Sequence, residues 1–172
     1  IVHLSETQSE VAQIKERYGK TPAAHLADLG VLGPNSIACH CVVLTEKDMD
    51  LLKQFDVKVA HNPQSNMKLA SGIAPVPRLL ERNICVGIGT DGCASNNNLD
   101  MFSEMDTTAK LHKVSASDPT VLDAKTVLRM ATLDAARVLG MADKIGSLEP
   151  GKKADLIVVD TRKPHLTPMY NP

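Results

Sequence analysis

Short apolar runs of strand length alternate along this chain with longer stretches of helical period. The runs are 1–4 (IVHL), 36–44 (SIACHCVVL), 57–61 (VKVAH) and 84–90 (ICVGIGT). Runs this short, rich in Val and Ile and separated by helix-length segments, imply strands joined by helical crossovers, and hence a parallel sheet. That pattern restricts the chain to an α/β fold.

The segments between the runs carry helix punctuation. Val11, Ile14 and Tyr18 share a face, and Gly19 stops them. Thr21-Pro22 supplies an N-cap and a first-turn proline, with Gly30 behind. Thr45, with Asp48 three residues on, resembles a capping box ahead of Met49, Leu51 and Leu52. Helices are predicted over 76–82, 99–114 and 124–139, the last ended by Gly140. HNPQSN (61–66) reads as a loop. Beyond Ala142 the rhythm breaks. IGSLEPG (145–151) is turn-rich, ADLIVVD (154–160) is predicted as a strand, and the tail 161–172 carries three prolines. A boundary is therefore expected at 142, with residues 143–172 starting a small β element.

What terminates each run matters more than the runs themselves. The first leads into His3-Leu-Ser-Glu6, the second carries His40, the third ends at His61, and the fourth runs into Asp91-Gly92. In a parallel α/β barrel the C-terminal strand ends converge on one mouth, where active sites are built. A neutral imidazole suits zinc, and a carboxylate three residues beyond His3 can face the same cavity and shuttle protons. Each residue also has a bland reading. His3 can be a satisfied strand-end histidine and His40 a core histidine. Asp91 can be a turn aspartate, although burying it without a cation or donors is costly. His61 stands evenly between pocket wall and structural loop anchor. His25 and His112 lie on predicted helices and read as packing or solvent-facing residues.

Composition narrows the function classes. The 172 residues are 43% hydrophobic with a formal net charge of −1, enough for a domain with a core. The balanced charge leaves no basic footprint for nucleic acid and no polybasic membrane anchor. No apolar run reaches the ~18 residues of a membrane span. Cys39, Cys41, Cys85 and Cys93 include no CxxC pair, so reduced thiols of a cytoplasmic protein are expected rather than disulfides or a thiolate zinc site. The opening IVH has neither an initiator Met nor a signal-peptide pattern, and the chain reads as entered in mid-fold.

The segments HLSET (3–7), ACHCV (38–42), HNPQSNMKLASGIAPV (61–76) and GTDGCASNNNLDMF (89–102) resemble the metal-dependent amidohydrolase superfamily, as does GSLEPGKKADLIVVD (146–160). The branch they are most similar to holds the 5′-methylthioadenosine and S-adenosylhomocysteine deaminases. The resemblance implies the C-terminal half of a TIM-type (β/α)8 barrel over 1–142 and the start of a small β-sandwich domain over 143–172. It implies His3 as a metal ligand and Glu6 as the carboxylate that contacts the substrate ring and moves protons. It implies His40 as the group that polarises the hydrolytic water, and Asp91 as a metal ligand that accepts the water's proton. Glu6, His61, Ser65, Asn66 and Ser95 are implied around the substrate, with Asn96 in the same loop as Ser95.

The implied cofactor is one Zn2+, with Fe2+ or Mn2+ as alternatives, lowering the pKa of bound water. The implied reaction is hydrolytic deamination of a 6-aminopurine nucleoside, giving ammonia and an inosine-type product. The alternatives are a guanine or cytosine deaminase, a triazine chlorohydrolase, or a non-catalytic fragment of such a fold. A small-molecule nucleoside is the expected partner, with no nucleic acid and no membrane, and a homo-oligomer stays open. The family's HxH pair of the first strand is absent from this chain. It is expected upstream of Ile1, so the chain alone is expected to be inactive.

Overall fold

A computed structural model describes residues 1–168. Four short strands form one sheet in the order β1-β2-β3-β4, every neighbouring pair parallel. They are β1 (Val2–Leu4), β2 (Ile37–His40), β3 (Lys58–His61) and β4 (Val86–Ile88). Helices α1 (Gln8–Tyr18) and α2 (Pro22–Asp28) follow β1, and α3 (Glu46–Gln54) follows β2. Helices α4 (Pro63–Lys68) and α5 (Val76–Glu81) follow β3, and α6 (Met101–Ala116), α7 (Ala124–Ala131) and α8 (Leu133–Val138) follow β4. This is the parallel α/β arrangement expected from the alternation of runs.

The local signals act where the sequence placed them. Thr7 and Thr21 cap α1 and α2 through their side chains, and Gly19 closes α1 in the left-handed region at φ 69°. Thr45 and Asp48 form the full capping box: the Asp48 N–H donates to Thr45 Oγ1 (3.2 Å) and the Thr45 N–H to Asp48 Oδ2 (2.8 Å). One core runs between sheet and helices. Ala38, Val59 and Val86 of the strands pack with Met49 and Leu52 of α3, Val76 and Leu79 of α5, and Val127 and Met130 of α7.

Three expectations are corrected. The predicted helix over 124–139 is two helices, broken at Thr132 (φ −123°, ψ −94°), whose hydroxyl donates to the Leu128 carbonyl (2.7 Å). The break lets α8 lie against β4, where a Cβ on Gly87 would meet Ala135 Cα at 2.8 Å. The HNPQSN stretch is not a loop, because Pro63, with its φ already set, starts the short helix α4. The segment 154–160, expected as a strand, is not one. Its Leu156, Ile157, Val158 and Val159 are exposed, Val158 to 91%. A strand needs a ladder partner, and none pairs with it among the described residues. Residues 169–172 of the expected small β segment lie outside the described residues.

Gly87 tests how α8 docks. Gly87→Ala forces backbone of α8 away from β4 and is expected to lower unfolding free energy by about 1–3 kcal/mol, read from the urea midpoint. An unchanged midpoint would mean that α8 yields without loss.

Candidate active site

The site begins with the way the strands end. Ser5 just after β1, His40 and Cys41 at the end of β2, and Asp91 beyond β4 all have left-handed backbone, with φ of 50°, 71°, 51° and 60°. Non-glycine residues avoid this region, and where they occupy it the surroundings must hold them. Each such turn swings the chain out of the sheet at its C-terminal edge. The result brings His3, His40 and Asp91 together, with one ligand atom from each within 4.8 Å of the others. The His3 and His40 rings stand 5.2 Å apart, tilted by 48°.

The four chemistry-bearing side chains are held unequally. Asp91 Oδ2 accepts from the Ser65 hydroxyl (2.7 Å) and the Ser95 hydroxyl (2.6 Å). Burial pushes the Asp91 carboxyl up, but the bonds from Ser95, Ser65 and the Gly92 backbone outweigh it, and the group titrates below its ordinary range. His40 is buried, and its Nδ1 lies 2.8 Å from Asn66 Oδ1. A carboxamide oxygen accepts, so a proton on Nδ1 completes that bond, and a neutral ring then has its lone pair at Nε2. That Nε2 lies 3.8 Å from Glu6 Oε2, and Glu6 Oε1 accepts from the Ser71 hydroxyl at 3.3 Å. The turn bearing Glu6 is fixed by Glu10 of α1, whose two oxygens accept the Ser5 N–H (2.9 Å) and the Glu6 N–H (2.7 Å).

Several expected substrate contacts have other partners. Ser65 and Asn66 are fully buried, and with Ser95 they spend hydrogen-bonding groups on Asp91 and His40. His61 follows its second reading, as an internal anchor. It is completely buried, and its Nε2 lies 3.2 Å from the Nε2 of His112, itself buried on α6. His112 is therefore a packing residue, and His25 stacks on Tyr18 with centroids 4.0 Å apart. Ser71, Glu10 and Glu104 were not singled out by sequence. Each acts through a fold-dependent contact, and Glu10 and Glu104, each in the first turn of a capped helix, have a local signal while Ser71 has none.

A cavity of about 780 Å3 is bounded by Lys20, Thr21, Thr45, Glu46 and Leu51 among others, and none of the strand-end residues lines it. Convergent chemistry, not cavity volume, marks the site. All four cysteines are free thiols. Burial is the main cause that raises the pKa of Cys39, Cys41 and Cys85, which keeps them protonated and poor ligands. No helix among the described residues is long and apolar enough to cross a membrane.

Residues 1–171 match the model of the amidohydrolase family, and the chain belongs to that family. It is 63% identical over 172 residues to a 5-methylthioadenosine/S-adenosylhomocysteine deaminase of Syntrophobacter fumaroxidans, covering all of this chain and 39% of that protein. It is 54% identical over 171 residues to a 5'-deoxyadenosine deaminase of Methanothermobacter thermautotrophicus, covering 99% of this chain and 40% of the relative. Among solved structures, an adenosine deaminase from Xanthomonas campestris with bound zinc is similar at a TM-score of 0.95 and 48% identity, over 99% of this chain and 39% of that one. The chain thus spans about two fifths of the length of the curated relatives it matches.

The His61–His112 pair sets an expected pH dependence. Burial is the main cause that lowers the pKa of both rings from 6.5, aided for His61 by His112 and His40. The unfolded chain then binds more protons than the fold below about pH 6.5, so stability falls as pH falls through that value. Urea midpoints are expected to drop between about pH 7 and pH 5, and His112→Gln to flatten that slope. An unaltered slope in the variant would refute the assignment.

Proposed function

We propose that the chain supplies the C-terminal half of a (β/α)8 barrel over residues 1–142, with 143–172 leading into a small β domain, in a metal-dependent hydrolytic deaminase of 6-aminopurine nucleosides. The substrate class is the S-adenosylhomocysteine and 5′-methylthioadenosine type. The observation that carries the reading is the convergence of His3, His40 and Asp91 at the strand ends, with Glu6 beside them. The names of the relatives give the substrate class its support.

The donor set suits the metal. His3 offers an imidazole nitrogen and Asp91 a carboxylate oxygen within 4.8 Å of each other, and open catalytic zinc sites combine His with a carboxylate. His3 and Asp91 would hold the ion, completed by ligands from the rest of the barrel. When bound it supplies Lewis acidity and acidifies water at neutral pH. Fe2+ and Mn2+ are the alternatives.

The side chains then divide the work. Asp91, kept ionised by the two serine hydroxyls, accepts the proton of the attacking water. His40, its Nδ1–H spent on Asn66, offers a lone pair at Nε2 to orient that water. Glu6 has one longer bond, from Ser71, and is partly exposed, so it can reach a substrate ring nitrogen and deliver a proton there. The amino group takes the proton held on Asp91 and leaves as ammonia, the new hydroxyl returns a proton to Glu6, and a 6-oxopurine remains. The four free thiols support a reducing, cytoplasmic setting.

The test is ammonia release by the full-length protein from S-adenosylhomocysteine, methylthioadenosine, 5′-deoxyadenosine, adenosine, guanine and cytosine. Activity on the adenosine-type compounds is expected. Chloride release from a triazine with no ammonia from any purine would overturn it. Asp91→Asn is expected to lower kcat by about 10²–10⁴-fold, as the loss of a positioned base does. Wild-type turnover and metal content in that variant would remove Asp91 from the mechanism.

A further inference from the structure

The carboxylate of Glu104, on the first turn of α6, is fully buried yet lies outside the cluster of His3, His40 and Asp91. Both its oxygens are engaged. Oε1 accepts from Asn96 Nδ2 at 2.5 Å, and Oε2 from the Gln64 backbone N–H at 3.3 Å. The same Asn96 amide donates to the Thr90 carbonyl at 2.9 Å, one residue before Asp91. Gln64 immediately precedes Ser65 and Asn66, the residues that bond Asp91 and His40. Its side-chain amide adds two more ties to α6, donating to Ser103 Oγ (2.6 Å) and Thr107 Oγ1 (3.1 Å).

A single carboxylate therefore joins the segment after β3 to the segment after β4. Burying it is costly, and an apolar residue of the same size would fill the space without that cost. Packing alone does not account for a Glu here. Its position does, because the two segments it joins carry Ser65 and Ser95, whose hydroxyls meet on one Asp91 oxygen.

We propose that Glu104, acting through Asn96 and the Gln64 N–H, is a positioning residue that sets the Asp91 carboxylate and the His40 ring relative to each other. The inference rests on the reading of Asp91 as metal ligand and proton acceptor. Without the clamp, the β4–α6 loop loses its register against α4. Ser65 and Ser95 then no longer meet on one Asp91 oxygen.

The experiment compares wild type, Glu104→Gln and Glu104→Leu in the full-length, zinc-loaded protein. Zn2+ affinity is read by competition with a chromogenic chelator, alongside kcat, KM and Tm. Glu104→Leu is expected to weaken zinc binding about 10-fold or more, as loss of an outer-shell partner does, and to lower kcat with KM little changed. Glu104→Gln keeps one acceptor of the two and is expected to fall between. A Tm decrease with wild-type zinc affinity and kcat, measured where both variants are folded, would overturn the proposal and leave Glu104 a stability residue. If Glu104→Leu does not fold, Glu104→Gln decides by the same criteria. A wild type that deaminates none of the purines defeats the functional reading, while the zinc comparison still judges the clamp. An active wild type with unaffected variants defeats the clamp alone.

Discussion

Hydrogen bonds that hold left-handed residues at the strand ends are the constraint on which this structure turns. A strand run of ordinary extended residues would carry its side chains straight past the edge of the sheet. Here Ser5, His40, Cys41 and Asp91 reverse the backbone hand instead, at about 1–3 kcal/mol each for non-glycine residues. Each is tied down. The Ser5 N–H goes to Glu10 Oε1, the Cys41 N–H to the Leu4 carbonyl (3.1 Å), and the Asp91 carboxylate takes two hydroxyls. The turns aim the side chains, and the bonds keep the turns.

The tying groups share a design. Glu10 on α1, Asp48 on α3 and Glu104 on α6 all reach back from the first turn of a helix that follows a strand. Glu10 takes two N–H groups of the turn bearing Glu6. Asp48 closes its capping box and also accepts from the Thr21 hydroxyl, which links α3 to the start of α2. Glu104 does the same over a longer distance. An acid near a helix start meets the positive end of the helix dipole and the unpaired N–H groups there, so it is both stable and well placed to hold the preceding loop.

How much of this could be read from sequence follows from the range of each interaction. Caps at Thr21 and Thr45, the stop at Gly19 and the strand ends at His3, His40 and Asp91 depend on residues within a few positions, and those were legible. The Ser65–Asp91 and His40–Asn66 bonds join residues 26 apart, so nothing near Ser65 or Asn66 in the sequence signals that their groups bond those side chains. The His61–His112 pair spans 51 residues, and no pattern on α6 distinguishes a buried His from a surface one. The strand expected over 154–160 failed for the opposite reason. Its alternation-free run of Leu, Ile and Val has strand propensity, but propensity makes a strand only against a partner.

Under the proposed function, the unequal holding of the two carboxylates is itself mechanistic. A metal ligand and proton acceptor must stay ionised and still, and Asp91 has donors on one oxygen and a pKa held below its ordinary range. A proton shuttle must move between partners and change protonation state. Glu6 is suited to that, with its backbone fixed by Glu10, one bond of 3.3 Å on its carboxylate, and His40 Nε2 at 3.8 Å. Exchanging their surroundings would disable both, since a Glu6 gripped by two hydroxyls would resist protonation and a loosely held Asp91 would not keep a ligand geometry. The same residue types therefore take different roles because the loops around them differ in the donors they supply.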